Sequence, residues 1–206
     1  MLHTILPTQM QAAEQTAFAA GLSPLLTMET AARAAFDVLL DLLGCDCRGK
    51  NVLFLCGPGN NGGDGLVMAR LLLQARGFAR IILLDTPKTA EAQINLRHLQ
   101  AMGADIEAVP DELLEDEYDA VVDALFGTGF TGSIAADSPA GRLLTWANTC
   151  GPMLSIDVPS GMDAATGAVE GVCARAIWTV TFHRPKPGLY LTERRDCVGE
   201  ITVAPI

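Results

Sequence analysis

From residue 51 onward the chain alternates short apolar runs with helical patterns, and this alternation limits most severely the folds open to it. "NVLFLC" (51–56) reads as a buried strand. After it come a helix over 65–76, a strand over 80–85, a helix over 90–102, a short strand over 105–109, a strand over 119–123, a helix over 139–149 and a strand over 153–157. That order builds a parallel sheet with helices packed on it. Two helical patterns, 7–21 and 27–43, precede every strand, and the second carries Leu26, Ala31, Ala35, Val38, Leu39 and Leu42 at helical spacing. "IWTVTF" (177–182) and "EITVAPI" (200–206) are expected to extend the sheet at one edge. The expected class is α/β, with a mostly parallel central sheet and two N-terminal helices, in one domain over residues 1–206.

Charge narrows the partners. A formal net charge of −10 and the absence of a basic stripe speak against nucleic acid, whose binding needs clustered Lys and Arg. No run reaches the ~18 apolar residues of a membrane helix, and the N-terminus lacks a signal-peptide pattern. A cytoplasmic protein without a membrane partner is the expectation. The six cysteines have no C-x-x-C spacing, which supports neither zinc nor a disulfide framework.

Chemistry-bearing residues collect after three of the strands. "GPGNNGGDG" follows the first, and Gly57, Gly59 and Gly62 fit G-x-G-x-x-G, with Asp85 after the next strand where an acidic ribose contact would stand. The loop is nevertheless long and polar for a plain dinucleotide site, because Asn60, Asn61 and Asp64 crowd the turn where a helix N-terminus would meet a pyrophosphate. No Lys-Ser/Thr follows, so it is not a phosphate loop of the nucleoside triphosphatase kind. Asp64 is expected to cap the following helix. "DALFGTGFTGS" places Asp123 at a strand end before Gly127, Gly129 and Gly132, glycines that either let backbone amides approach an anion or simply make turns. "SIDVPSGMDAATG" repeats the arrangement with Asp157, while Asp163 reads as a turn residue. Parallel topology brings all three strand ends to one edge of the sheet, where open α/β sheets bind ligands. Asn61, Asp123 and Ser160 together offer an amide oxygen, one carboxylate and a hydroxyl, a set suited to a hard monovalent cation.

"GPGNNGGDG", "DALFGTG", "SIDVPSGMDAATG" and "TVTFHRPKPGL", in this order and spacing, closely resemble the YjeF N-terminal domain family, the NAD(P)H-hydrate epimerases. The likeness covers essentially the whole chain. It implies a Rossmann-like three-layer αβα fold, a homodimer, and interconversion of the R and S forms of hydrated NADH and NADPH (NADHX and NADPHX), cofactors damaged at C6 of the nicotinamide ring. It also implies a fused or separate dehydratase that repairs the S form. Carried over by position, potassium ligands fall on Asn61, Asp123 and Ser160. Substrate-binding segments fall on Asn60, Asn61, Gly62, Gly63 and Asp64, on Gly127, Thr128, Gly129, Phe130, Thr131, Gly132 and Ser133, and on Asp157. Asp157 is the expected catalytic acid/base, and Lys186 in "RPKPG" is a candidate phosphate or ribose contact, with a surface lysine as the alternative. The chain departs from the family pattern at Thr30, Ala32 and Ile177, the last replacing an aspartate. A non-catalytic nucleotide- or partner-binding module of the same fold is the competing reading.

Overall fold

Seven parallel strands form one sheet in the order β3-β2-β1-β4-β5-β6-β7 in the computed structural model, which describes residues 3–114 and 116–206. The strands are β1 (Asn51–Cys56), β2 (Phe78–Leu83), β3 (Asp105–Ala108), β4 (Ala120–Ala124), β5 (Met153–Ile156), β6 (Trp178–Phe182) and β7 (Glu200–Ala204). The helices are α1 (Pro7–Ala19), α2 (Pro24–Leu42), α3 (Asn60–Gln74), α4 (Ala90–Ala101), α5 (Pro139–Ala147) and a single turn, α6 (Gly188–Leu191). Every strand pairing is parallel, including β5 with β6 and β6 with β7, so the sheet goes further than the mostly parallel one expected.

Burial on both faces explains why β1 is an unbroken apolar run and not an alternating one. Its residues nevertheless divide between the faces: Val52, Phe54 and Cys56 join the core under α2, α3 and α4, while Leu53 and Leu55 join the core under α5. This is a three-layer sandwich with the sheet in the middle. Among the described residues no helix is long and apolar enough to cross a membrane, and all six cysteines are free.

The strand order reverses between β1 and β4, because β2 and β3 extend the sheet one way and β5 to β7 the other. Ligands in open α/β sheets bind at such a switch point, beyond the carboxyl ends of the strands. Glycine makes this crevice possible. A Cβ on Gly57 would stand 1.8 Å from the Leu125 carbonyl oxygen, and one on Gly62 would stand 1.8 Å from that of Gly57. The two loops leaving β1 and β4 therefore press backbone on backbone.

The main correction concerns α3. It starts at Asn60, five residues before the expected start, and its N-cap position is Gly59 with extended backbone. Asp64 lies inside the helix and caps nothing. Asn and Gly are poor helix interiors taken alone, but here the first-turn N–H groups have no intrahelical partner in any case, and packing rewards the missing side chains. A Cβ on Gly63 would meet the Met28 side chain at 2.5 Å, and one on Gly65 would meet Ala124 at 2.7 Å. Tertiary contact overrides local propensity.

Candidate functional site

A cavity of about 750 Å³ opens above the switch point, a size usual for small-molecule and cofactor sites. Its walls come from four places: α1 (Pro7, Thr8, Met10, Gln11, Glu14), the start of α3 (Asn60, Asn61, Asp64), the loop after β4 (Phe126 to Thr131), and Asp157 with Phe182 and Lys186. Of the residues expected to bind substrate, Asn60, Asn61, Asp64, Gly127, Thr128, Gly129, Phe130, Thr131, Asp157 and Lys186 meet there. Gly62 and Gly63 are buried beneath the cavity, and Gly132 and Ser133 lie on the exposed continuation of the β4 loop. Asp85 stands apart, exposed and paired with Lys88 at 2.9 Å, which removes the ribose-binding carboxylate of the plain dinucleotide reading.

Asp157 follows β5 directly, in the left-handed region at φ 69°. Asp tolerates that conformation better than most residues, yet it is held only where the surroundings over-determine it. Here they do. The Asp157 N–H donates to the Val180 carbonyl at 2.6 Å, the Thr128 N–H donates to Oδ2 at 3.0 Å, and Lys186 Nζ donates to Oδ1 at 2.5 Å. Lys186 is 1% exposed and also donates to Thr181 Oγ1 at 3.0 Å and to the Phe182 carbonyl at 3.2 Å. It is not the surface lysine of the alternative reading; its amine reaches the cavity already bound to Asp157.

Asp123 belongs to a different environment. It sits within β4 opposite Ser155 and is fully buried. Ser155 Oγ donates to Oδ2 at 2.8 Å, the Ser160 N–H to Oδ2 at 2.8 Å, Ser160 Oγ to Oδ1 at 2.6 Å, and the Leu125 N–H to Oδ1 at 3.3 Å. Burial pushes its carboxyl pKa above the usual range, although these four bonds pull the other way. Ser160 Oγ in turn accepts from the Phe126 N–H at 2.9 Å, tying the turn after β5 to the β4 loop. Asn61 lies beside this loop, close to where a Gly127 Cβ would stand, and its Nδ2 is buried without a partner.

Two acidic groups complete the lining. Burial pushes the Asp64 carboxyl well up, with the negative charges of Asp157 and Glu14 adding to the effect. Burial also raises the pKa of Glu14, helped by Asp157 and opposed by Lys186. Glu14 was not among the sequence candidates. Its context, "QAAEQTAF", carries no local sign of function, and only the placement of α1 over the strand ends brings it to the cavity. Asp163 is the turn residue expected, its Oδ1 accepting from the N–H groups of Ala165 and Thr166.

Comparison with known proteins bears on the family and the fold. The sequence model of the family described as YjeF-related protein N-terminus matches residues 26–188. The bifunctional NAD(P)H-hydrate repair enzyme Nnr of Pyrobaculum aerophilum is 36% identical over 214 residues, an alignment that takes in 100% of this chain and 42% of that protein. The protein of the same name from Methanothermobacter thermautotrophicus is 38% identical, over 97% of this chain and 39% of its own length. This chain therefore spans about two fifths of these longer relatives. The NAD(P)H-hydrate epimerase of Nitrosopumilus maritimus is 36% identical over 84% of this chain and 81% of its own length. The crystal structure of the yeast protein ynu0 superposes with a TM-score of 0.79, covering 98% of this chain and 87% of that one; at 20% identity it speaks for the fold. Matched through most of its length by the family's sequence pattern and by relatives well above 30% identity, the chain belongs to the family of YjeF-related N-terminal domains.

Proposed function

We propose that this chain is an NAD(P)H-hydrate epimerase, interconverting the R and S forms of NADHX and NADPHX. The observation that carries the reading is Asp157, a carboxylate fixed by Lys186 and the Thr128 N–H at the wall of a cavity of cofactor size. The names of the relatives point the same way. Inverting C6 requires the ring hydroxyl to leave and water to return. The ring nitrogen N1 supplies the electron pair that expels it, which gives a flat iminium centre open to water on either face. Proton transfer at that oxygen is the task left to the protein, and we assign it to Asp157, whose carboxylate lines the cavity. Phe126, Phe130 and Phe182 supply the apolar part of the wall.

A potassium ion fits the same reading. Asn61, Asp123 and Ser160 would hold it through oxygen: Asp123 is a buried carboxylate with only neutral donors around it, and the Asn61 amide Oδ1 lies beside the loop after β4, 3.1 Å from where a Gly127 Cβ would stand. With one carboxylate, one amide oxygen and one hydroxyl, this donor set suits a monovalent ion better than zinc or calcium. When bound, the ion supplies positive charge that offsets the burial of Asp123. The reading also includes a cytoplasmic homodimer working beside a dehydratase. The bifunctional names of the longer relatives support the second activity, and exposed Leu22 between the N-terminal helices, with Leu25 and Leu26 at the start of α2, offers an apolar contact surface.

The test is conversion of purified R-NADHX to the S form, followed by chromatography with and without potassium. Catalysed conversion is expected, with Asp157→Asn slower by about 10²- to 10⁴-fold. An Asp157→Asn enzyme at full rate would remove Asp157 from the chemistry. Nucleotide binding by a wild-type chain that converts nothing would leave a binding module.

A further inference from the structure

Two carboxyl groups face the cavity from different elements, in opposite electrostatic settings. Asp157 has a cationic partner and a backbone donor. Asp64, on α3, is only 9% exposed and accepts no hydrogen bond among the described residues. It lines both the main cavity and an adjoining pocket of about 80 Å³, which it shares with Glu14, Met28, Glu91 and Phe182. The charged groups around it are Glu14 from α1, Glu91 from α4 and Asp157 from the end of β5, with Lys186 committed to Asp157. An ionised carboxylate without a donor is disfavoured in such a place. Burial, with the charges of Asp157 and Glu14 beside it, raises the Asp64 pKa well above the usual carboxylate range and so favours its protonated form. One carboxyl without a donor and one held by a lysine and a backbone N–H, on different walls of the same cavity, suit the roles of acid and base.

We propose that Asp64 is the second proton-carrying group of the epimerase, the acid that complements Asp157 as base, an assignment that rests on the function proposed above. A single carboxyl beside one face of a ring favours return of water to that face, so inversion calls for a second group. In one direction Asp64 gives its proton to the C6 hydroxyl. The C6–O bond breaks, its electrons leave on the new water molecule, and the N1 lone pair closes the N1=C6 double bond. Water then adds to C6, loses a proton to Asp157, and the N1 lone pair is restored. No electron is gained or lost overall, and one proton has moved from Asp64 to Asp157. It returns through solvent once the product has left, and the opposite direction exchanges the two roles.

The experiment compares the full-length wild type with Asp64→Asn, which keeps shape and removes the proton. Infrared difference spectra at neutral pH read the proton directly, without turnover: a protonated-carboxyl C=O band is expected in the wild type and absent from the variant. Kinetics read its use: kcat is expected to fall about 10²-fold or more while KM changes by less than about threefold. The variant also loses the alkaline limb of the pH–rate profile, and Asp64→Glu recovers part of the rate. In water labelled at oxygen, the wild-type product carries the label. Absence of the infrared band, or an Asp64→Asn enzyme that keeps both its rate and its alkaline limb, would overturn the proposal. A wild type that shows the band yet epimerises nothing overturns the epimerase reading and Asp64's catalytic task with it, while establishing the buried proton.

Discussion

Asp123 and Asp157 stand at the carboxyl ends of neighbouring parallel strands, yet they are built for different work. Asp123 is inside β4, fully buried, with both oxygens accepting from the hydroxyls of Ser155 and Ser160 and the backbone amides of Leu125 and Ser160. Asp157 is one residue past β5, in a left-handed backbone conformation, with a lysine on one oxygen and the cavity beside it. One residue of register makes the difference. A carboxylate within the strand is caught between neighbours and ties loops together, whereas one just beyond it borders the cavity. The first couples its hydrogen bonds to folding, and the second is the one to which the proposed chemistry is assigned.

Lys186 tests this contrast most severely. Replacing it with methionine leaves the buried Asp157 carboxylate without its cation, and breaking a buried pair from one side costs about 3–5 kcal/mol. Thermal denaturation is expected to show Tm lower by something on the order of 10 °C. Adding Asp157→Asn to Lys186→Met removes the orphaned charge and is expected to restore part of the stability but none of the epimerase rate. If both recover together, the ion pair is a structural feature and Asp157 is no reagent.

Asp123→Asn comes next. The new amide turns an N–H group toward donors that need an acceptor, and each buried donor left unsatisfied costs about 1–3 kcal/mol. Tm is expected to fall by roughly 4–10 °C, and no second substitution at Lys186 should restore it, since Asp123 has no cationic partner among the described residues. A variant that melts with the wild type would mean that the strut role is wrong.

How far these roles could be read from sequence depended on the range of the interactions involved. The strand ends carrying Asp123 and Asp157 were legible because parallel topology obliges them to share an edge. The start of α3 was not, because "GNNGGDG" looks like a turn until Met28 and Ala124 are seen to need the space its glycines leave. Lys186 in "RPKPG" reads equally as a phosphate or ribose contact or as a surface lysine, and what decides its burial is a carboxylate 29 positions earlier. Glu14 belongs to a helix whose place over the cavity is set by contacts distant in sequence, such as the Ile5 N–H bond to the Pro185 carbonyl at 3.0 Å.

Gly127 offers a smaller perturbation of the reactive side alone. A Cβ there would stand 3.0 Å from Asp157 Oδ2 and 3.1 Å from Asn61 Oδ1. Those oxygens would have to yield by a few tenths of an ångström, and misplacements of that order lower rates without unfolding the scaffold. Gly127→Ala is expected to slow epimerisation about tenfold, with Tm within about 2 °C of wild type. Equal kinetics would show that the Asp157 carboxylate tolerates displacement, which a positioned acid/base does not.

Ile177 sharpens the contrast from the far edge of the sheet. It precedes β6, is 51% exposed, and its backbone already bonds Met153 on one side and Glu200 on the other, both at 2.9 Å. The cavity touches β6 only at Phe182, five residues on. At a rise near 3.3 Å per residue the two ends are about 16 Å apart. The aspartate that the family pattern carries at this position would therefore face solvent at the amino edge, beyond reach of a ligand at the carboxyl edge. Ile177→Asp is expected to leave the rate within about twofold and stability within about 0.5 kcal/mol, measured by the same conversion and melting assays. A tenfold gain in rate would instead show that the amino edge communicates with the cavity, and the division of the sheet into a supporting and a reactive edge would fail.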